Sequence, residues 1–295
     1  MVLVNPITAD YKAFAAICVD VDHLATFVPW QSKMAKTEID KIIKLLAKHG
    51  AQHIAGIGTG GSVVNAFSSA RHIVRSPGGN RTTVGSDIEK MALEIAGRSN
   101  ASALSSLHES WEIFIKQLYG KFVFNQRGAV PLPSRTRFHK ENKKWSNYRD
   151  TQKYFHDYAA FACRTDCSEA FKAFKSHLDW KLVKVEYYPR LSLTWEQIAS
   201  VVEKCRHSIV HNDGRIPNAR LQKIDKALRD VIITMMRPSM LSTEPRILPS
   251  GDEMDHYIEA MVTFAYTYYV LVSMRCAWSI DVDLFKLAKK LKASS

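Results

Sequence analysis

The sequence predicts an all-α protein, and three observations carry the prediction. Apolar residues recur at three- and four-residue spacing through most of the periodic stretches, as a helix with one buried face requires. Two of these stretches have well-marked ends: Thr37 to His49 opens on a capping threonine and stops at Gly50, and the helix after Thr194 stops at Asn212-Asp213-Gly214. Against these, a single short run, Leu182 to Leu193, reads as extended. With 46% hydrophobic residues the chain can bury a sizeable core, and its 295 residues suit one large or two modest domains. The division drawn is an N-terminal helical region, 1–100, and a second helical domain, 101–295, with a basic insert at about 123–150.

From the start, Met1 to Tyr11 has neither a basic n-region nor a long apolar run, so it does not read as a signal peptide. Tyr11 to Phe27 and Thr37 to His49 are amphipathic helices. Gly56, Gly58 and Gly61 then satisfy GxGxxG literally, but the stretch that follows is basic and glycine-rich where a dinucleotide site needs a strand ending in an acid. A flexible loop or hinge is the preferred reading. Val63 to Val74 is helical, Ser76 to Gly85 a turn-rich connector, and Asp87 to Ala96 and Ala103 to Phe122 are two further helices. The second of these has Leu104, Leu107, Trp111, Phe114, Ile115 and Leu118 on one face.

The insert follows. Pro131 and Pro133 prevent a regular helix there, and Arg135, Arg137, Lys140, Lys143, Lys144 and Arg149 alternate with Phe138, Trp145 and Tyr148. Cations for phosphates and rings for unpaired bases are what single-stranded RNA binding asks for. The competing reading is a solvated basic loop with its aromatics tucked into the core. Thr151 to Cys163 and Ser168 to Trp180 are helices, Asn218 to Met236 is another, residues 237–251 form a proline-rich loop, and Asp252 to Ile280 is a long helix. Its apolar stretch, Met261 to Met274, is too short to span a bilayer, so no membrane is expected.

The net charge of +12 and pI near 9.4 point to an anionic partner, nucleic acid first, and most of the excess lies after residue 100. Five cysteines, 18, 163, 167, 205 and 276, without a CxxC pair, fit free thiols in a reducing cytoplasm. Cys163, Cys167 and His156 lack the paired spacing of a structural zinc site, so no metal and no cofactor is expected.

The helix after Thr194 concentrates the chemistry. Thr194 and Gln197 form a capping box, and Ile198, Val201, Val202, Cys205 and Ile209 make one apolar stripe. Arg206, His207, Val210 and His211 fall on the opposite face. Cations are favoured at a helix C-terminus by its dipole, which is the plain reading of Arg206 and His211. Val210 among polar neighbours instead suggests a subunit contact.

Arg206-His207-Ser208-Ile209-Val210-His211 resembles the Rx(4-6)H signature of the HEPN superfamily, in its ribonuclease branch, and Leu104 to Phe122 resembles that family's first long helix. The likeness runs from roughly Leu104 to Arg229. It implies a HEPN-like helical bundle and a metal-independent endoribonuclease that cuts RNA through its own 2'-hydroxyl. It implies further a homodimer with the active site at the subunit interface, of the kind found among toxins and antiviral effectors, held in check by an antitoxin or regulatory protein. Arg206 and His211 would be catalytic, with His207 in a supporting polar position. The alternative is a non-catalytic HEPN-like module that binds RNA, nucleotide or protein.

Overall fold

The computed structural model describes residues 4–25, 37, 85–178, 187–239 and 242–281, with backbone alone at 85–92, 187, 242 and 243. The fold is mostly helical, as expected. Residues 8–25 form α1. Then come α2 (Gly85–Asn125), α3 (Arg135–Glu141), a 3-10 turn (Trp145–Tyr148), α4 (Gln152–Ala162) and α5 (Ser168–His177). The hairpin β1 (Tyr187–Tyr188) and β2 (Leu193–Thr194) leads into α6 (Trp195–Asn212), followed by α7 (Asn218–Leu221), α8 (Lys226–Thr234), the hairpin β3 (Met236–Ser239) and β4 (Ser242–Ile247), and α9 (Gly251–Arg275).

The 41-residue helix α2 is the spine, packed against α4, α6 and α9. The sequence predicts two helices here, Asp87 to Ala96 and Ala103 to Phe122, and they are one. Between them Gly97 and Asn100 serve tertiary contacts. A Cβ on Gly97 would lie 2.6 Å from the Leu248 Cβ, and the Asn100 amide donates to the Pro249 carbonyl at 2.9 Å. The helix therefore crosses the boundary drawn between 1–100 and 101–295 without a break. Ile7, just before α1, and Tyr11, Phe14, Cys18 and Val21 on it, at three- and four-residue spacing, join the same buried cluster as α2, α6 and α9. Tyr11 stacks on Tyr269 at 5.2 Å, and Phe14 on Phe114 at 5.7 Å. Asn5 fixes the entry to α1 by donating to Ser273 Oγ and the Ser279 carbonyl.

α9 is apolar nearly all round because it is enclosed on most sides. Its Phe264 stacks on Trp195 at 5.5 Å and on Trp111 at 5.7 Å, joining α9, α6 and α2 through rings that each bury a large apolar area. Ser250 and Glu253 close a capping box at its start. Among the described residues no helix is long and apolar enough to cross a membrane.

Three other expectations are corrected. After Pro131 and Pro133 the basic segment does form a helix, α3, since a proline ahead of a helix costs it no hydrogen bond. The helix expected over Asn218 to Met236 is two helices, because the Asp225 carboxylate caps a fresh start by accepting from the Ala227 amide at 2.9 Å. The proline-rich loop at 237–251 is largely the β3–β4 hairpin, irregular between Arg237 and Ser239, where Pro238 has no N–H to give. The expected helix over 37–49 and helix over 63–74, the Gly56 loop and the connector over 76–85 fall almost wholly outside the described residues.

Candidate functional site

α6 is built as its sequence requires. Thr194 Oγ1 accepts from the Gln197 amide at 3.3 Å, and Gln197 Oε1 accepts from the Thr194 amide at 2.9 Å. Ile198, Val201, Val202 and Cys205 are buried, with Ile209 partly so. At the far end the chain turns through two left-handed residues, Asp213 (φ 53°) and Gly214 (φ 77°), where only glycine was expected. The Gly214 amide donates to the Ser208 carbonyl at 2.9 Å, and the Gly214 carbonyl accepts from the Ile247 amide at 2.9 Å, tying the helix end to β4. Asp213 tolerates the left-handed backbone because its carboxylate is clamped: Arg98 Nη1 lies 3.2 Å away, and Arg246, with a side chain 8% exposed, pairs with the other oxygen.

The last two turns present four side chains. His207 and His211 are exposed, with ring centroids 4.8 Å apart and planes inclined at 52°. Val210 beside them is 52% exposed. Desolvation, and then the positive surroundings of Arg220, His211 and Arg206, push the His207 pKa below its usual value, which favours a neutral ring. Arg206, one turn back, is 29% exposed in its side chain and is held by Glu109 of α2, Nη2 to Oε1, at 2.8 Å. Its Nε is buried and meets no hydrogen-bond acceptor among the described residues. The two ion pairs, 98 with 213 and 109 with 206, fix α2 and α6 as antiparallel neighbours.

Behind Arg206 sits a titratable cluster that the sequence reading missed. His108 is buried; burial, opposed in part by Glu112 and reinforced by Arg206, brings its pKa down to about 4. Its Nδ1 has no hydrogen-bond partner among the described residues. Desolvation raises the Glu203 pKa, and the nearby carboxylates of Asp166 and Glu112 add to the rise. The available signal for Glu109 and His108 was their place outside the apolar stripe of the helix predicted from Ala103 to Phe122; Arg220 of α7 gave none beyond its charge.

The second candidate region looks different. Phe138 is buried, and Trp145 and Tyr148 pack against the core. Trp145 lies parallel to His139, 3.6 Å away with a 3° tilt, so that face is already covered. The Arg149 guanidinium sits 5.8 Å from its ring centroid. Arg137 pairs with Glu141 at 3.3 Å and lies near the Phe161 ring, and Arg135 is partly buried beside His139 and Tyr154. Lys140, Lys143 and Lys144 are exposed. This matches the alternative of aromatics tucked into the core more closely than a platform of open rings.

Among the described residues no group of three or more His, Cys, Asp or Glu is placed to hold a metal ion, and all five cysteines are buried free thiols. No protein-family model, no curated protein and no solved structure matches the chain.

Proposed function

We propose that the protein is a metal-independent endoribonuclease of the HEPN type, with its active site on the last two turns of α6. The observation that carries this reading is the exposed pair His207 and His211, with ring centroids 4.8 Å apart, beside a half-buried arginine, Arg206, that precedes His207, and an exposed valine, Val210. Imidazole transfers protons near neutrality, and a guanidinium stays charged and offers a planar fork to phosphate.

In the proposed reaction a neutral His211 takes the proton of a ribose 2'-hydroxyl, and that oxygen attacks the adjacent phosphorus. Arg206 offsets the charge that builds on the non-bridging oxygens. A protonated His211 of a second copy delivers a proton to the departing 5'-oxygen, leaving a 2',3'-cyclic phosphate and a 5'-hydroxyl. One imidazole reaches both oxygens poorly, so a twofold pairing of α6 across Val210 divides the two roles between copies. His207, held neutral, hydrogen-bonds the phosphate or the facing helix. RNA is the substrate, the setting is cytoplasmic, and an enzyme of this kind in a toxin or antiviral system requires an inhibitory protein partner.

The test is cleavage of total RNA in EDTA by wild type, Arg206→Ala and His211→Ala. Wild type should leave 2',3'-cyclic ends, and either variant should be slower by on the order of 10²- to 10⁴-fold. Equal cutting by all three would remove these residues from the reaction. The second reading, a non-catalytic RNA- or protein-binding module, draws on the Arg206–Glu109 pair, since a guanidinium that ties α6 to α2 has a structural use without any phosphate. Inert wild-type dimers that still bind RNA would favour it.

A further inference from the structure

The Arg206–Glu109 pair is unusual in its setting. Salt bridges at exposed sites contribute little, because solvent screens both partners, and Glu109 is such a partner, with 56% of its side chain exposed. Arg206 is more enclosed, and its Nε is buried without an acceptor. The guanidinium is thus satisfied along one edge by a carboxylate that reaches it from another helix, and unsatisfied at a second nitrogen. Next to it in sequence is the exposed His207, whose ring is 4.8 Å from that of His211 and which also feels the positive charge of Arg220. The strongest donor in that group has a carboxylate in the position where an oxyanion of a ligand would sit.

We infer that Glu109 is an internal anion that occupies Arg206 in the free protein and is displaced when a phosphate arrives. The inference rests on reading Arg206 as the phosphate-binding group of this site. Glu109 acts through Arg206 and is a positioning residue. It sits on the rigid spine α2 while Arg206 is on α6, so displacement needs only rotation of the glutamate side chain into solvent and no movement of either helix. A phosphate accepts from a guanidinium as a carboxylate does and carries more negative charge, which lets it replace the carboxylate at Nη2. Before phosphate arrives, the carboxylate lowers the local positive potential and so disfavours weakly held anions.

The experiment is titration of the full-length protein with inorganic phosphate, followed by calorimetry, comparing wild type, Glu109→Gln, Arg206→Gln and Glu109→Gln/Arg206→Gln. Glu112→Gln is the control, because Glu112 is one turn away and bonds Lys116. Removing a competing surface carboxylate is expected to tighten phosphate binding in Glu109→Gln by about two- to five-fold. The gain should vanish in the double variant and be absent in the control. Unchanged or weaker binding in Glu109→Gln overturns the inference, as does a wild type and Glu109→Gln that both fail to bind phosphate. RNA cleavage is scored separately on the same proteins: tighter phosphate binding without cleavage keeps the displaced carboxylate and removes the ribonuclease, while cleavage without the phosphate effect does the reverse.

Discussion

The last two turns of α6 and the segment 135–149 both set cations beside rings, and they differ in what those groups touch. In the segment, Arg137 is paired with Glu141, which also holds Arg164, and Trp145 lies under His139 with Arg149 near its ring. These contacts are made within the segment or to its neighbouring helix, on the surface. On α6 the imidazoles are open, and the helix end beneath them is fixed by ion pairs from α2 and β4, one of them to a buried arginine. A run of basic residues is therefore a poor guide to available charge. On α6 it is the imidazoles that are open, while Arg206 is paired with Glu109, and distant elements hold the backbone beneath them.

The largest effect that tests this contrast is expected at Asp213. Asp213→Asn keeps a residue that tolerates the left-handed backbone but leaves Arg246 without its counter-charge. Stranding a buried charge costs about 3–5 kcal/mol, and the exposed side of Asp213 reduces that here to about 2–3 kcal/mol. Glu141→Gln in the segment should leave the unfolding midpoint unchanged, because the pairs it breaks are exposed. Urea unfolding of the two variants gives both values. Equal and small losses would mean that the end of α6 is held by its backbone contacts alone.

How much could be read in advance follows the same division between local and distant causes. The caps, apolar stripe and terminator of α6 were legible because each depends on residues within a few positions of one another. The partner of Arg206 was not, since Glu109 lies 97 residues away in sequence. The continuity of α2 was hidden for a related reason: Gly97 and Asn100 interrupt the apolar pattern between the two expected helices, and they let 248 and 249 approach α2 closely. The β3–β4 hairpin was hidden by its two prolines and by arginines at paired positions, which give no alternating apolar pattern. In the insert, the sequence left two readings of the aromatics open, since spacing alone does not say whether a ring faces the core or solvent.

A second, smaller effect distinguishes the regions by pH. His108 behind Arg206 has a folded pKa near 4, below the value of about 6.5 for an unfolded chain. Between those values the unfolded state binds a proton that the folded state refuses, so stability falls as pH falls and is unaffected above about pH 7. Between pH 7 and pH 5 the loss should be about 2 kcal/mol from this residue. His139 in the segment is shifted in the same direction by desolvation and by Arg135 and Arg149, but with more solvent around it. His108→Gln should flatten the decline measured by chemical unfolding at a series of pH values, and His139→Gln should change it little. A decline that survives His108→Gln intact would place its origin elsewhere.

The smallest effect concerns binding in the segment itself. Lys143 and Lys144 are exposed, and an exposed lysine that meets a phosphate releases about one counterion. If this surface guides RNA toward α6, Lys143→Gln/Lys144→Gln should lower the slope of log affinity against log salt for a single-stranded RNA by roughly 1.4, about 0.7 per contact, with only a few-fold loss of affinity at moderate salt. On the proposed function the positions of RNA cleavage should not change, since neither lysine belongs to the α6 site. Trp145→Ala should weaken binding little, because the parallel contact with His139 already covers one face of the ring. The comparison is sharpened by its opposite outcome. A large loss on removing Trp145, with no change in the salt slope on removing the lysines, would mean that RNA displaces His139 and stacks there, making the segment a base-reading surface and α6 dependent on it for specificity.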